Sequence, residues 1–204
     1  ILNYKSCQDT YDCADREYNQ AIASGYENYK SVSACELKYI DLELYLNDNI
    51  SNFQEYETKI KAFLTNAEIN RVSVHVAYCK TLLAKLYMIQ NLYDNEYRRL
   101  SNRKTKNSTI NTCLHEAKKI YTAYHNEYGI IRISILELLY KIATISDRKE
   151  LENTIKKMTD ILGNHQEYQR EKDIIQFYQN ILNSNESFAM LAISILKAYP
   201  IIMQ

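Results

Sequence analysis

Three glycines and one proline are all that punctuate 204 residues, too few for hairpin turns, phosphate-cradling loops or the breaks between many short strands. Their scarcity predicts long helices with short connections, and no strand is expected. Cysteine is sparse as well: five residues in a chain long enough to bury a sizeable core do not make a disulfide-dense scaffold. An excess of either charge is missing. Lys plus Arg and Asp plus Glu number 25 each, which removes the global field that would draw the chain to nucleic acid or an anionic membrane surface. No apolar run reaches the roughly 20 residues of a membrane span. The longest, Phe188 to Met203, is interrupted by Lys197 and Pro200 and reads as a buried terminal helix. Tryptophan is absent, yet tyrosine occurs 19 times. Tyrosine couples apolar area to a polar tip, so these residues are expected mainly in the core, with a dedicated contact face as the alternative.

Apolar and aromatic residues recur three and four apart almost throughout, the helical period. Cys35, Tyr39, Leu42 and Leu46 share one face, and so do Val76, Cys79, Leu83, Leu86 and Ile89. The pattern predicts helices over 3–23, 27–47, 51–65, 68–99, 109–126, 130–145, 147–162, 165–183 and 186–198. Gly25, Gly129 and Gly163 fall between them, where a left-handed helix cap is expected.

The chain also matches itself. Shifted by 101, "SACELKY" from Ser33 lies over "SILELLY" from Ser134; shifted by 95, "EYETKIK" from Glu55 lies over "ELENTIK" from Glu150. At a shift of 99, Glu68 pairs with Glu167, Arg71 with Arg170, Tyr78 with Phe177 and Leu83 with Leu182. Segments in the same order at nearly constant shift predict an all-α protein of two tandem, internally duplicated bundles of about four helices each, 1–100 and 107–204. The polar stretch Arg98 to Thr109 would be the solvated connector. Its five basic residues have no second basic face behind them, which argues against nucleic acid as a partner.

The cysteines bear on compartment. Under the duplication Cys35 corresponds to Leu136 and Cys79 to Tyr178. Loss of both partners together is expected if Cys35 and Cys79 bond each other. Cys7 and Cys13, six apart on one helix, point about 120° apart and need partners elsewhere, with Cys113 the expected one. A rival pairing joins Cys13 to Cys35 across an antiparallel turn at Gly25. Either way one cysteine is left over, and the opposing reading is five buried thiols of a cytosolic protein. Asn-x-Ser/Thr sequons at Asn49, Asn107 and Asn185, each in a polar stretch where a helix should end, favour secretion and are candidate glycosylation sites. The chain opens "ILNYKSC", with neither Met nor an apolar leader, and so reads as a processed mature chain.

Catalytic spacings are missing. "HEAKK" from His115 begins like a helical zinc-protease motif, but Lys119 stands where the second histidine is needed. His75, His115, His125 and His165 place no two on one helical turn, and no CxxC occurs. Gly-rich loops, nucleophile elbows and Asp-rich triplets are absent. No catalysis, cofactor or metal is expected.

Cys7, Tyr11 and Cys13, in a helical chain of this length, resemble the cysteine-tyrosine-cysteine motif of the bicycle proteins, secreted salivary effectors of gall-forming aphids. That family carries such motifs in pairs; here the second unit offers Cys113 with Tyr121 and Tyr124. Secreted helical proteins of the tsetse midgut type are similar in scattering Cys and Tyr along helices. The first resemblance implies delivery in saliva into plant tissue and action on a host protein without a reaction. Expected on these grounds is an extracellular effector that binds a host macromolecule, with a carrier of a small apolar ligand held between helices as the alternative.

Overall fold

Where apolar residues follow the three-and-four spacing, the backbone is helical. The structure, a computed structural model, describes residues 40–41, 53–96, 103–144, 148–163, 168–182, 196 and 199. Every regular element among them is a helix: α1 Phe53–Ile69, α2 Ser73–Glu96, α3 Arg103–Ala123, α4 Glu127–Thr144, α5 Arg148–Leu162 and α6 Gln169–Leu182. The helices expected over 3–23, 27–47 and 186–198 lie outside the described residues, apart from Ile40, Asp41 and Leu196, which are helical.

Two kinds of helix follow from two kinds of pattern. On α3 the buried residues are Ile110, Leu114, Ala117 and Tyr121, and on α5 they are Leu151, Ile155, Met158 and Leu162. Each set is a single stripe, as the 3.6-residue period requires of a helix with one face in water. Helix α2 is buried on all sides from Thr81 to Ile89, and α4 on most of its surface, with Ser134 and Glu137 half-buried and Lys141 exposed on its remaining face. The expected face of α2, Val76, Cys79, Leu83, Leu86 and Ile89, is buried, but so are Ala77, Leu82, Ala84, Tyr87, Met88 and Leu92. Helix α4 likewise buries Ile131, Ile133, Ile135, Leu136, Leu138, Leu139 and Ile142. Packing explains this: α2 touches α1, α3 and α4, and α4 touches α2, α3 and α5, while α6 packs on α5. Each buried Leu or Ile contributes roughly 1.5–3 kcal/mol, and the two central helices supply half of the buried apolar residues among those described. One core cluster runs from Ile40 to Tyr199.

Two corners turn the chain without glycine. After α1, the Val72 amide donates to the Ala67 carbonyl at 2.9 Å and the Arg71 amide to Glu68 at 3.1 Å. After α3, Asn126 donates to Tyr121 at 2.8 Å and His125 to Thr122 at 3.1 Å. Both are Schellman closures, with Arg71 (φ 54°) and His125 (φ 52°) in the left-handed position. The Asn126 side-chain oxygen then accepts from the Gly129 amide at 2.8 Å, capping the start of α4.

Several boundaries therefore differ from the sequence reading. The first described corner lies at 70–72 rather than near 66–67, and α3 starts at Arg103, so part of the expected connector is helical. Gly129 lies inside α4, not between helices. Its role is space: a Cβ there would sit 2.6 Å from the Tyr121 ring. Gly163 ends α5 without entering the left-handed region. Gly25 lies outside the described residues.

Candidate functional site

A charged side chain buried in the core must find a partner or lose its charge, and each central helix carries one that is buried. From α2, Lys85 is 1% exposed. Its ammonium lies 2.5 Å from Asp41 Oδ1 and donates to the Tyr199 carbonyl at 2.8 Å. The Tyr199 hydroxyl donates to Glu171 Oε1 of α6 at 3.1 Å, with Glu171 itself buried. Two distant ends of the described chain thus meet on a lysine of the central helix. Burial, with Glu171 beside it, drives the Tyr199 pKa well above the usual tyrosine value, and the charge of Arg132 opposes the shift.

Arg132 is the buried charge of α4, 8% exposed. Its Nη2 donates to the Tyr128 hydroxyl one turn back, and its Cζ lies 4.2 Å from the Tyr128 ring centre. Tyr128 in turn stacks on Tyr168, centroids 5.5 Å apart and planes 19° from parallel. The Arg132 Nε and Nη1 atoms are shielded from solvent and have no hydrogen-bond acceptor.

A second polar node joins the three helices elsewhere. Asn91 of α2 donates to Asn107 Oδ1 of α3 at 2.9 Å and to the Tyr140 hydroxyl of α4, and that hydroxyl donates to Asn107 at 2.8 Å. The Tyr87 hydroxyl donates to Glu57 Oε1 at 2.8 Å, linking α2 to α1. Lys80 bridges α2 to Glu116 of α3 at 2.5 Å.

The residues singled out in the sequence fall as follows. Cys79 is a fully buried free thiol on α2 and Cys113 a half-buried free thiol on α3. Burial pushes the Cys79 pKa up to about 12 and raises that of Cys113. Cys7, Tyr11, Cys13, Cys35, Asn49 and Asn185 lie outside the described residues, so the pairings that involve them have no described geometry. Asn107 is exposed, but it stands within α3, not at a helix end, and its side-chain oxygen is engaged by Asn91 and Tyr140. His75 stacks on Tyr78 at 6.3 Å, and His115 and His125 are exposed. Among the described residues no three His, Cys, Asp or Glu side chains gather into a possible metal site, and no helix there is long and apolar enough to cross a membrane.

The tyrosines divide unequally. Tyr56, Tyr87, Tyr121, Tyr168, Tyr178 and Tyr199 are buried, whereas Tyr124 is 58% exposed. Lys85, Arg132 and Glu171 were not singled out in the sequence. For Lys85 and Arg132 the signal is a lone charge inside an apolar run, as in "LLAKLYMI" and "GIIRISIL", whereas Glu171, among Arg170, Lys172 and Asp173, carries no such signal. No family model, curated protein or solved structure matches the chain.

Proposed function

We propose that the protein is a secreted, non-catalytic helical scaffold that acts by contacting a host macromolecule, in the manner of the salivary effectors it resembles. The observation that carries this reading is the pair of exposed residues at the two glycine-free corners. Ile69, 71% exposed, ends α1, and Tyr124, 58% exposed, follows α3. The Tyr124 hydroxyl donates to Ser73 Oγ at 3.1 Å, holding one corner against the other. A tyrosine and an isoleucine displayed on a fixed frame suit the apolar centre of a protein contact, where aromatic residues are enriched. The interior polar groups support it as well, because Lys85, Glu171, Asn91 and Tyr140 are engaged in ties between elements rather than aligned for proton transfer.

The tandem duplication, with units 1–100 and 107–204, belongs to the same proposal. Two helix hairpins, α1 with α2 and α5 with α6, occupy corresponding positions. At a shift of 95, buried Tyr56, Ile60 and Ala67 fall on buried Leu151, Ile155 and Leu162. At a shift of 99, buried Val76 and Cys79 fall on buried Ile175 and Tyr178. The common phase of the buried stripe supports descent from one unit, since a random register would rotate it out of the core.

The test is affinity capture from plant extract with the folded, oxidised chain, analysed for protein and for lipid. A specific host protein, lost when Tyr124 and Ile69 are both changed to Ser, is expected. Recovery of lipid with no protein would replace this reading by the carrier.

A further inference from the structure

Asn107 of α3 is exposed, yet its side chain is fixed. Its Oδ1 accepts from Asn91 Nδ2 at 2.9 Å and from the Tyr140 hydroxyl at 2.8 Å, which uses both lone pairs of an amide oxygen. The inward reach follows from position. Asn107 stands one turn before Ile110, the first residue of the buried stripe of α3, and the Asn91 it meets is 2% exposed. A carboxamide is planar, so anchoring its oxygen directs the nitrogen away from Asn91 and Tyr140. Among the described residues none accepts a hydrogen bond from Asn107 Nδ2.

That nitrogen is the atom to which an N-linked oligosaccharide attaches, and Asn107-Ser108-Thr109 is an acceptor sequence for one. Thr109 is exposed as well. Attachment replaces one Nδ2 hydrogen and leaves the carbonyl oxygen unchanged. A buried or bonded Nδ2 would lose a partner or collide with its surroundings; here the group to be modified and the group that holds the helices together are different atoms of one amide. The sugar is added to the chain before α3 has folded, so a helical position is no obstacle provided that the finished fold leaves Nδ2 to solvent.

We propose that Asn107 carries an N-linked oligosaccharide whose linking amide remains the acceptor of the Asn91–Tyr140 node. In the transfer, Nδ2 bonds to the anomeric carbon of a lipid-pyrophosphate-linked oligosaccharide, one Nδ2 proton is lost and the lipid pyrophosphate departs. Use of the site rests on the reading of the chain as secreted, because that donor is met in the secretory pathway. The glycan would stand in the first turns of α3, about 25 Å along the helix from Tyr124, and so leaves that exposed residue uncovered.

Export of the full chain from insect cells behind a heterologous leader tests it, in an Asn49→Gln/Asn185→Gln background that leaves this sequon alone. Amidase release of the glycan converts a glycosylated Asn to Asp, and peptide mapping should find that conversion at position 107 in most chains, cell-retained and exported alike. Thr109→Val should abolish it, and Thr109→Ser, which keeps the hydroxyl, should retain it at lower occupancy. Tunicamycin, which blocks donor synthesis, supplies the same sequence without sugar, and its thermal midpoint should lie no higher than that of the glycosylated chain. An unconverted Asn107, conversion that survives Thr109→Val, or a glycosylated chain that melts below its sugar-free form would overturn the site. The forced leader keeps the two readings apart: an unconverted Asn107 removes the site whatever the natural destination, whereas a protein that its own cells do not export removes the secreted reading.

Discussion

Lys85 and Tyr199, 114 positions apart in the chain, meet in the interior, where the ammonium donates to the tyrosine carbonyl at 2.8 Å while facing Asp41 at 2.5 Å. The lysine is therefore a tie between segments. Replacing one member of such a pair leaves the other charge buried and alone. Lys85→Met should cost about 3–5 kcal/mol in urea unfolding, and adding Asp41→Leu should recover most of that loss. A single variant with wild-type stability would show that the pair does not hold the segments together.

Gly129→Ala should destabilise by about 1–3 kcal/mol, because the new methyl would enter the space of the Tyr121 ring, 2.6 Å away. Gly163→Ala is the control. There a Cβ would meet the Thr159 carbonyl at 3.4 Å, and thermal unfolding should shift by no more than the equivalent of about 0.5 kcal/mol.

Helix class and the burial of Val76, Cys79, Leu83, Leu86 and Ile89 were legible in the sequence because a periodic pattern states its own geometry. The corners were not. A left-handed Arg71 or His125 is selected by the helices that flank it, and neither residue type signals that conformation; the glycines, which do, stand elsewhere. The polar network was half legible. A lone Lys85 or Arg132 in an apolar run announces a buried charge, but its partners, Asp41, Tyr199 and Tyr128, are fixed by packing across the chain.

Arg71→Gly and His125→Gly should each stabilise by up to about 1 kcal/mol, since a left-handed backbone with a Cβ costs roughly 1–2 kcal/mol and glycine gives part of that back in chain entropy. Differential scanning calorimetry of the two single variants and their combination checks it. The Tyr124–Ser73 hydrogen bond joins the two corners, so any coupling between them reads out as a departure of the combined variant from the sum of the single ones.

Alkaline stability follows from the buried thiol and phenols. Burial raises the pKa of Cys79 to about 12 and raises those of Tyr78, Tyr87, Tyr121, Tyr178 and Tyr199 above 10.0. These groups hold their protons in the fold more tightly than in the unfolded chain. Their contribution is whole below the unfolded values, about 9 for the thiol and 10 for the phenols, and is lost as pH rises toward the folded ones. Urea midpoints should be level from pH 6 to about 8 and fall progressively above. Iodoacetamide should label Cys79 in the native chain far more slowly than Cys113 and equally fast after denaturation, and non-reducing peptide mapping shows whether Cys79 carries the expected bridge to Cys35 instead.

The central proposal is that exposed Ile69 and Tyr124, one at each of the two corners, contact a host macromolecule, and photo-crosslinking reads it directly. With a benzophenone amino acid in place of Tyr124, irradiation in plant extract should yield one protein adduct. The same group at exposed Lys156 on α5 should not yield it. No adduct at position 124, or the same adduct from both positions, would contradict the account.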